Sequence, residues 1–163
     1  MTTLILDAPT SQVGFSVRHL RFSKVHGRFT RAAATVEVDS QSVRAEIDAA
    51  SVETGDEGRD AFLRSAEFFD VARHPTITFE GAKTAGSADA FTLRGRLTIR
   101  AVTRDVELKV TRRRGGSGET YEAVGAIQRK DFTLGWGAAL EAGGVLVGER
   151  VDLRLSLRFV TGG

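Results

Sequence analysis

The 163-residue chain contains no cysteine, only two prolines and a formal net charge of only +2. Without cysteine it cannot form disulfides, use a thiolate nucleophile or bind a metal through sulfur. No segment approaches the run of about 20 apolar residues that a transmembrane helix needs, and residues 1–7 lack the basic start and apolar stretch of a secretory signal. We therefore expect a cytoplasmic protein without an integral membrane segment.

Basic residues are spread along the chain and do not form a tail. The one basic run, Arg112 to Arg114, is followed at once by Gly115-Gly116-Ser117-Gly118. Glycine and serine favour turns, and charge keeps strand edges soluble, so we interpret this run as a solvated hairpin tip. A nucleic-acid site would need a concentrated basic patch with stacking aromatics, and we expect no nucleic-acid partner.

Alternation of apolar and polar residues dominates the chain. It is clearest at residues 13–19, 43–49, 91–99, 106–110 and 151–159. Strands with one apolar and one polar face are typical of antiparallel sheets that have one dry and one solvated side. We predict an all-β protein, and the length fits one domain, residues 1–163, with a core of its own.

One long segment interrupts the strands. Gly55 and Gly58 break any preceding strand, and residues 59–67 then place Phe62, Leu63 and Ala66 at helical spacing. Pro75 favours an extended chain before it, and a new alternating stretch follows. This pattern predicts a short helical crossover near residues 59–67.

The strand pattern favours a closed barrel. Residues 25–39 read as one long strand whose apolar parity changes, which predicts a bulge or bend within residues 31–35. With residues 76–81 and 121–134 the chain offers about eight strands, the number at which a barrel can hold one small ligand. The inward faces mix large aromatics with small residues. Such faces can form either a solid core or an elongated cavity.

Five motifs in order carry a resemblance. They are Asp7 to Leu20, Val25 to Phe29, Arg59 to Phe79, Gly95 to Thr103 and Ile127 to Phe132. Together they resemble the YceI-like family of bacterial polyisoprenoid-binding proteins over almost the whole chain. The resemblance implies an extended, lipocalin-like, eight-stranded antiparallel barrel whose interior binds a long isoprenoid chain, such as a polyprenyl phosphate or an isoprenoid quinone. Many members carry a secretory signal, which we do not expect here from the pattern of residues 1–7.

The expected ligand-binding residues lie on the inward faces and near the barrel mouth. They are Phe15, Val17, His19, Phe29, Phe79, Phe91, Gly95, Leu97, Ile99, Arg129, Phe132 and Trp136. Gly95 is predicted to leave space for the ligand, and Arg129 to need Asp131 or another carboxylate to balance its charge. Trp136 either lines a mouth loop or plugs one end of the barrel.

Arg59 and Arg64 are candidate head-group contacts, because guanidinium matches phosphate geometry. The structural interpretation is favoured over this one: Asp60 and Arg64, at i and i+4, pair on the helix, and ion pairs together with Phe68 and Phe69 pin the helix to the barrel end.

His19 is in phase with Val13 and Phe15, so its side chain should point inward. It is either a hydrogen-bonded core residue or a donor to a quinone or head-group oxygen. His19, His26 and His74 show no metal motif, and we expect no metal or required cofactor beyond a bound lipid or quinone.

The leading hypothesis is a non-enzymatic carrier or store of isoprenoid lipid, compatible with transient membrane contact and with a homodimer. The alternatives are an enzyme acting on an apolar substrate with His19 as acid or base, and a ligand-free stress or interaction scaffold.

Overall fold

A computed structural model describes residues 2–19, 23–113, 119–134 and 147–162. One helix, α1, spans Glu57–Arg64, and short 3₁₀ turns lie at Ala8–Thr10, Ala49–Ser51 and Arg129–Phe132. The strands are β1 Thr3–Leu6, β2 Gln12–His19, β3 Ser23–Phe29, β4 Ala32–Glu37, β5 Ser42–Asp48, β6 Val52–Glu53, β7 Thr76–Gly86, β8 Ala90–Ile99, β9 Val102–Arg113, β10 Glu119–Gln128 and β11 Val147–Thr161.

Eight strands close into an antiparallel barrel. Their order is β1-β4-β5-β7-β8-β9-β10-β11, and β11 returns to β1 with Phe159 opposite Leu6. The prediction of an all-β, eight-stranded antiparallel barrel with one short helix is confirmed. We call the end that holds the 38–41 and 87–89 turns the β1 end, and the end that holds α1 and the 100–101 turn the α1 end.

Strand β1 is too short to close the barrel along its whole length. Towards the α1 end, β2 replaces β1 as the neighbour of β11, and the sheet continues through β3 to β6. Beyond β6 the wall is completed by α1 and the segment after it, where Phe68 and Phe69 are buried. The ring of Phe69 lies 4.8 Å from that of Phe68 and 5.9 Å from that of Phe29.

The prediction of one bent strand over residues 25–39 is wrong. The chain forms two strands, β3 and β4, with a corner at Thr30 and Arg31. β3 pairs with β2 and β6, whereas β4 pairs with β1 and β5. The Arg31 carbonyl accepts from the Asp48 amide at 3.0 Å, and the Arg31 amide donates to Ser51 Oγ at 3.1 Å. The parity changes because the chain turns a corner.

Helix α1 begins and ends earlier than predicted. Asp56 caps it by accepting from the Arg59 amide at 2.9 Å, and this hydrogen bond is the main reason that the pKa of Asp56 is lowered. Ser65 ends the helix by donating its hydroxyl to the Phe62 carbonyl at 2.6 Å. The expected Asp60–Arg64 ion pair is not formed: the described contacts join Asp60 to Thr54 and Arg64 to the Val52 carbonyl. No helix in the described residues is long and apolar enough to cross a membrane.

Candidate ligand-binding cavity

The inward faces of the barrel enclose a cavity of about 800 Å³. This volume lies near the upper limit of the range of about 300–1,000 Å³ typical of small-molecule sites. The wall is mostly aliphatic and aromatic, and it extends from Val38 and Phe91 at the β1 end to Leu63 and Phe69 at the α1 end. The alternation of large and small inward residues therefore leaves an elongated cavity and not a solid core.

Most of the residues predicted from the sequence lie on this wall. They are Phe15, Val17, Phe29, Phe79, Phe91, Leu97, Ile99, Arg129 and the head-group candidate Arg59. The backbone of His19 pairs with Ser23 and Val147, but its side chain lies outside the described residues, as does all of Trp136.

Gly95 does not leave space for a ligand. A β-carbon at this position would lie 2.6 Å from Cζ of Phe79 and 2.7 Å from Cα of Gly81. The same relation holds on β3, where a β-carbon at Gly27 would lie 2.7 Å from ring carbons of Phe15. These glycines accommodate aromatic rings of the neighbouring strands, which is a known way to cover strand glycines. The predicted role of Gly95 is thus corrected: it positions the cavity wall.

Phe132 and Arg64 are also absent from the cavity wall. Phe132 is 1% exposed and packs into the core from the 3₁₀ turn that follows β10, where the chain has left the barrel wall. Arg64 lies five residues after Arg59, which at 3.6 residues per turn rotates it by about 140° around the helix. It donates instead to the Val52 carbonyl at 3.5 Å.

Arg59 is held at the α1 end by one residue, Thr54. Its Nε donates to Thr54 Oγ1 at 2.8 Å and its Nη2 to the Thr54 carbonyl at 2.9 Å. Thr54 in turn donates its amide, at 2.8 Å, and its hydroxyl to the buried carboxylate of Asp60. In the described part of the chain no carboxylate forms an ion pair with Arg59. Its guanidinium is therefore oriented by neutral oxygens beside the cavity.

Arg129 is 5% exposed and ties the end of β10 to the start of β11. Its Nε donates to the Gly148 carbonyl at 2.9 Å and its Nη1 to the Leu134 carbonyl at 3.0 Å. Glu149 supplies the balancing carboxylate, at 3.5 Å from Nη2. The expectation of a carboxylate partner is met by Glu149, while Asp131 is exposed. Since a buried charge needs such partners, the group stabilises the barrel end.

A polar group at the β1 end was not predicted as part of the site. Arg112 binds Glu119 through two contacts of 2.8 Å, and the hydroxyl of Tyr121 donates to the same carboxylate at 3.3 Å. Burial raises the pKa of Tyr121, and the charge of Glu119 adds to this effect. All three side chains line the cavity. Arg112 and Glu119 lie on either side of the predicted hairpin tip. Their opposite charges and their closeness across that turn are the sequence signal from which this ion pair could have been predicted.

The described residues contain no group of three His, Asp or Glu side chains that could hold a metal ion. The ionisable side chains on the described cavity wall are Arg59, Lys83, Arg112, Glu119, Tyr121 and Arg129. The site is thus an apolar cavity with cationic or neutralised polar groups at its two ends.

Comparison with known proteins identifies the family. A family model described as the YceI-like domain matches residues 5–159. The chain belongs to the YceI-like family. It is 32% identical over 171 aligned positions to the UPF0312 protein SA2479 of Staphylococcus aureus strain N315, with 98% of each chain covered, and 30% identical to the UPF0312 protein SAUSA300_2620 of strain USA300 with the same coverage.

Solved structures share the fold of this YceI-like chain. BcnA of Burkholderia cenocepacia has a TM-score of 0.83 at 24% identity, with 94% of this chain and 98% of that chain covered. A polyisoprenoid binding domain from Saccharophagus degradans has a TM-score of 0.80 at 17% identity, with 98% of both chains covered. At these identities the likeness establishes a common barrel fold.

Proposed function

We propose that this YceI-like protein is a non-enzymatic carrier or store of a long isoprenoid lipid, with the tail in the barrel and the polar head at the α1 end. The observation that carries the proposal is the continuous apolar cavity between the two barrel ends. It is supported by the common fold with a domain described as polyisoprenoid binding.

The apolar wall suits an isoprenoid tail. Transfer of each CH₂ group from water to an apolar site contributes about 0.8 kcal/mol, so several prenyl units bind strongly without any polar contact. An elongated cavity also favours one long, extended chain over a compact ligand, because its contacts are distributed along the barrel axis.

The polar groups at the two ends differ in their capacity for an anion. At the β1 end Glu119 neutralises Arg112 through two contacts, and the other cation on that part of the described wall, Lys83, has its ammonium over the Phe91 ring, 5.3 Å from the ring centroid. At the α1 end Arg59 donates to neutral oxygens of Thr54, which leaves its charge available to a phosphate. We therefore favour a polyprenyl phosphate over a quinone, with its head beside Arg59.

A carrier role is favoured over catalysis by the nature of the wall. Glu119 is the one carboxylate on the described wall, and it is already bound by Arg112 and Tyr121. A general base needs an accessible lone pair near the reacting atom, which this arrangement does not offer. A cytoplasmic location and a homodimer stay predictions, which cell fractionation and analytical ultracentrifugation would test.

The decisive experiment is to purify the protein from its own host, extract it with organic solvent and identify the extract by mass spectrometry. We expect a lipid with several prenyl units, released when the protein unfolds and recovered unchanged after long incubation. Conversion of the lipid by wild-type protein, but not by a His19→Gln variant, would establish an enzyme and overturn the proposal.

A further inference from the structure

One outer face of the barrel groups five exposed basic side chains on neighbouring strands. This basic face lies on β2, β3 and the part of β11 that pairs with β2, and consists of Arg18, Lys24, Arg28, Arg150 and Arg154. All five residues are exposed. They point outward because the alternate residues of the same strands, such as Val17 and Leu153, line the cavity.

The ion pairs on this face neutralise only part of its charge. Arg28 lies 3.7 Å from Glu53, and Arg150 lies 2.9 Å from Asp152. No carboxylate of the described residues forms an ion pair with the three remaining cations, Arg18, Lys24 and Arg154. Five basic and two acidic side chains leave three positive charges, whereas the whole chain carries a net charge of +2. The rest of the protein is therefore slightly acidic.

The arrangement is costly for the fold. Arg18 and Lys24 are direct cross-strand partners. Like charges opposite each other on an antiparallel pair are destabilising. Other outward positions of the barrel avoid this cost by pairing opposite charges across strands, as Arg44 does with Glu80 at 3.1 Å and Arg94 with Glu107 at 3.5 Å. The concentration of like charge on β2 and β3 thus indicates an anionic partner.

The basic face has the dimensions of a docking surface. Arg154, Gly14 and Arg28 form one row across three strands, which places Arg154 and Arg28 about 10 Å apart. The Arg18–Lys24 pair lies four residues further along the strands, about 13 Å towards the α1 end. Directly inside that pair, Val17 and Val25 line the cavity. The charge therefore lies on the outer side of the wall that encloses the α1 end of the cavity.

We infer that the basic face docks the protein on an anionic membrane surface. Basic side chains near such a surface each contribute about 1 kcal/mol, so a few of them support reversible docking. A nucleic acid is disfavoured because the described outward positions of β2 and β3 carry no phenylalanine, tyrosine or tryptophan on which bases could stack. Docking would bring the cavity to the membrane, where the protein exchanges its lipid. This use of docking rests on the proposed function, but docking itself does not.

The test compares two triple variants that remove the same charge. Arg18→Gln/Lys24→Gln/Arg154→Gln neutralises the basic face, and Arg44→Gln/Arg96→Gln/Lys109→Gln neutralises exposed cations on the outer faces of β5, β8 and β9. Binding is measured by sedimentation with phosphatidylcholine vesicles that contain about 30% phosphatidylglycerol and no isoprenoid lipid, at low salt and at about 0.15 M salt. Thermal melts confirm that both triple variants are folded. If the basic-face triple variant does not fold, the single Lys24→Gln variant replaces it in the binding measurement.

We expect the wild-type protein to bind anionic vesicles, to bind them less as the salt concentration is raised, and not to bind vesicles of pure phosphatidylcholine. The basic-face variant should partition about a hundredfold more weakly, at roughly fivefold per cation, and Lys24→Gln about fivefold more weakly. The control variant should lose much less. Equal losses in the two triple variants, no binding by wild type, or tighter binding to a short single-stranded DNA than to vesicles would each overturn the inference. Uptake of a detergent-solubilised polyprenol by the same variants separates this outcome from the proposed function, because docking can fail while uptake persists.

Discussion

The ring of Phe79 lies over Gly95 on the neighbouring strand, with only 2.6 Å between its Cζ and the place of a β-carbon at that glycine. Phe79 lines the cavity and Gly95 is buried beneath it. The glycine therefore sets how far the aromatic ring projects into the cavity.

This relationship predicts that Gly95→Ala destabilises the barrel. The added carbon also meets the Gly81 backbone, so a ring rotation alone does not relieve the overlap, and overpacking of this kind costs about 1–3 kcal/mol. Urea unfolding of wild type and variant measures the difference. Gly58→Ala is the matched control: its β-carbon would meet Asp56 Oδ1 at 3.4 Å on α1, and we expect stabilisation of about 0.5–1 kcal/mol. Unchanged stability in Gly95→Ala would contradict the packing argument.

The β8–β9 turn gives a second prediction. Arg100 and Ala101 have φ of 50° and 65°, so Ala101 occupies the left-handed region that glycine adopts more readily. Ala101→Gly should raise the free energy of unfolding by up to about 1 kcal/mol, since the left-handed region costs a residue with a β-carbon about 1–2 kcal/mol and glycine's extra entropy returns part of it. Ala126→Gly, at an exposed position of β10 where the chain is paired with Asp152 of β11, should be destabilising instead. A lower melting temperature for Ala101→Gly would refute this reading.

The raised pKa of Tyr121 predicts that the folded protein loses stability at alkaline pH. Burial raises its pKa above the ordinary value of 10.0, so the folded protein retains this proton where the unfolded chain releases it. The contribution to stability is complete below pH 10.0 and is lost as pH rises through the raised pKa of the folded state. Urea unfolding from about pH 9 to about pH 11 measures it, and Tyr121→Phe should show a shallower decline than wild type. Identical slopes would mean that this phenol does not contribute.

Variants of Arg59 and Arg64 test which arginine of α1 contacts the lipid head group and which has only a structural role. Arg59→Gln should weaken binding of a polyprenyl phosphate by roughly ten- to a hundredfold, because it removes a hydrogen bond between charged groups worth about 1.5–3 kcal/mol. Binding of the matching polyprenol, which lacks the phosphate, should stay the same. Arg64→Gln should leave both affinities unchanged, as its side chain is absent from the wall. Equal losses of phosphate and alcohol in Arg59→Gln would place the head elsewhere.

The length of the tail provides the last prediction. A ligand shortened to two prenyl units should bind at least about a hundredfold more weakly than one with several units, because the apolar contribution scales with buried area. Competition with a fluorescent fatty acid measures both ligands under the same conditions. Equal affinities for the short and long tails would exclude an elongated binding site.

The sequence determined the barrel and most of its wall through the period of its strands. Because side chains alternate between two faces, the residues on the wall could be read from parity alone, as with Phe15, Phe29 and Phe79. The helical crossover could be predicted from its glycines and apolar spacing, and the family from motifs along the chain. The corner at Thr30 and Arg31 was predicted as a bulge or bend within one continuous strand, since the parity changes in the same way at a bulge, a bend and a corner between two strands.

Tertiary structure decided what the wall encloses. Periodicity assigns a side chain to a face but not its distance from other strands, so it could not distinguish a filled core from a cavity or place the ring of Phe79 over Gly95. Helical rotation turned Arg59, and not Arg64, towards the cavity. Strand register joined Arg112 to Glu119 and left Arg18 opposite Lys24. Each of these depends on contacts between residues distant in the chain or on the exact rotation of a helix, which are fixed only when the barrel closes.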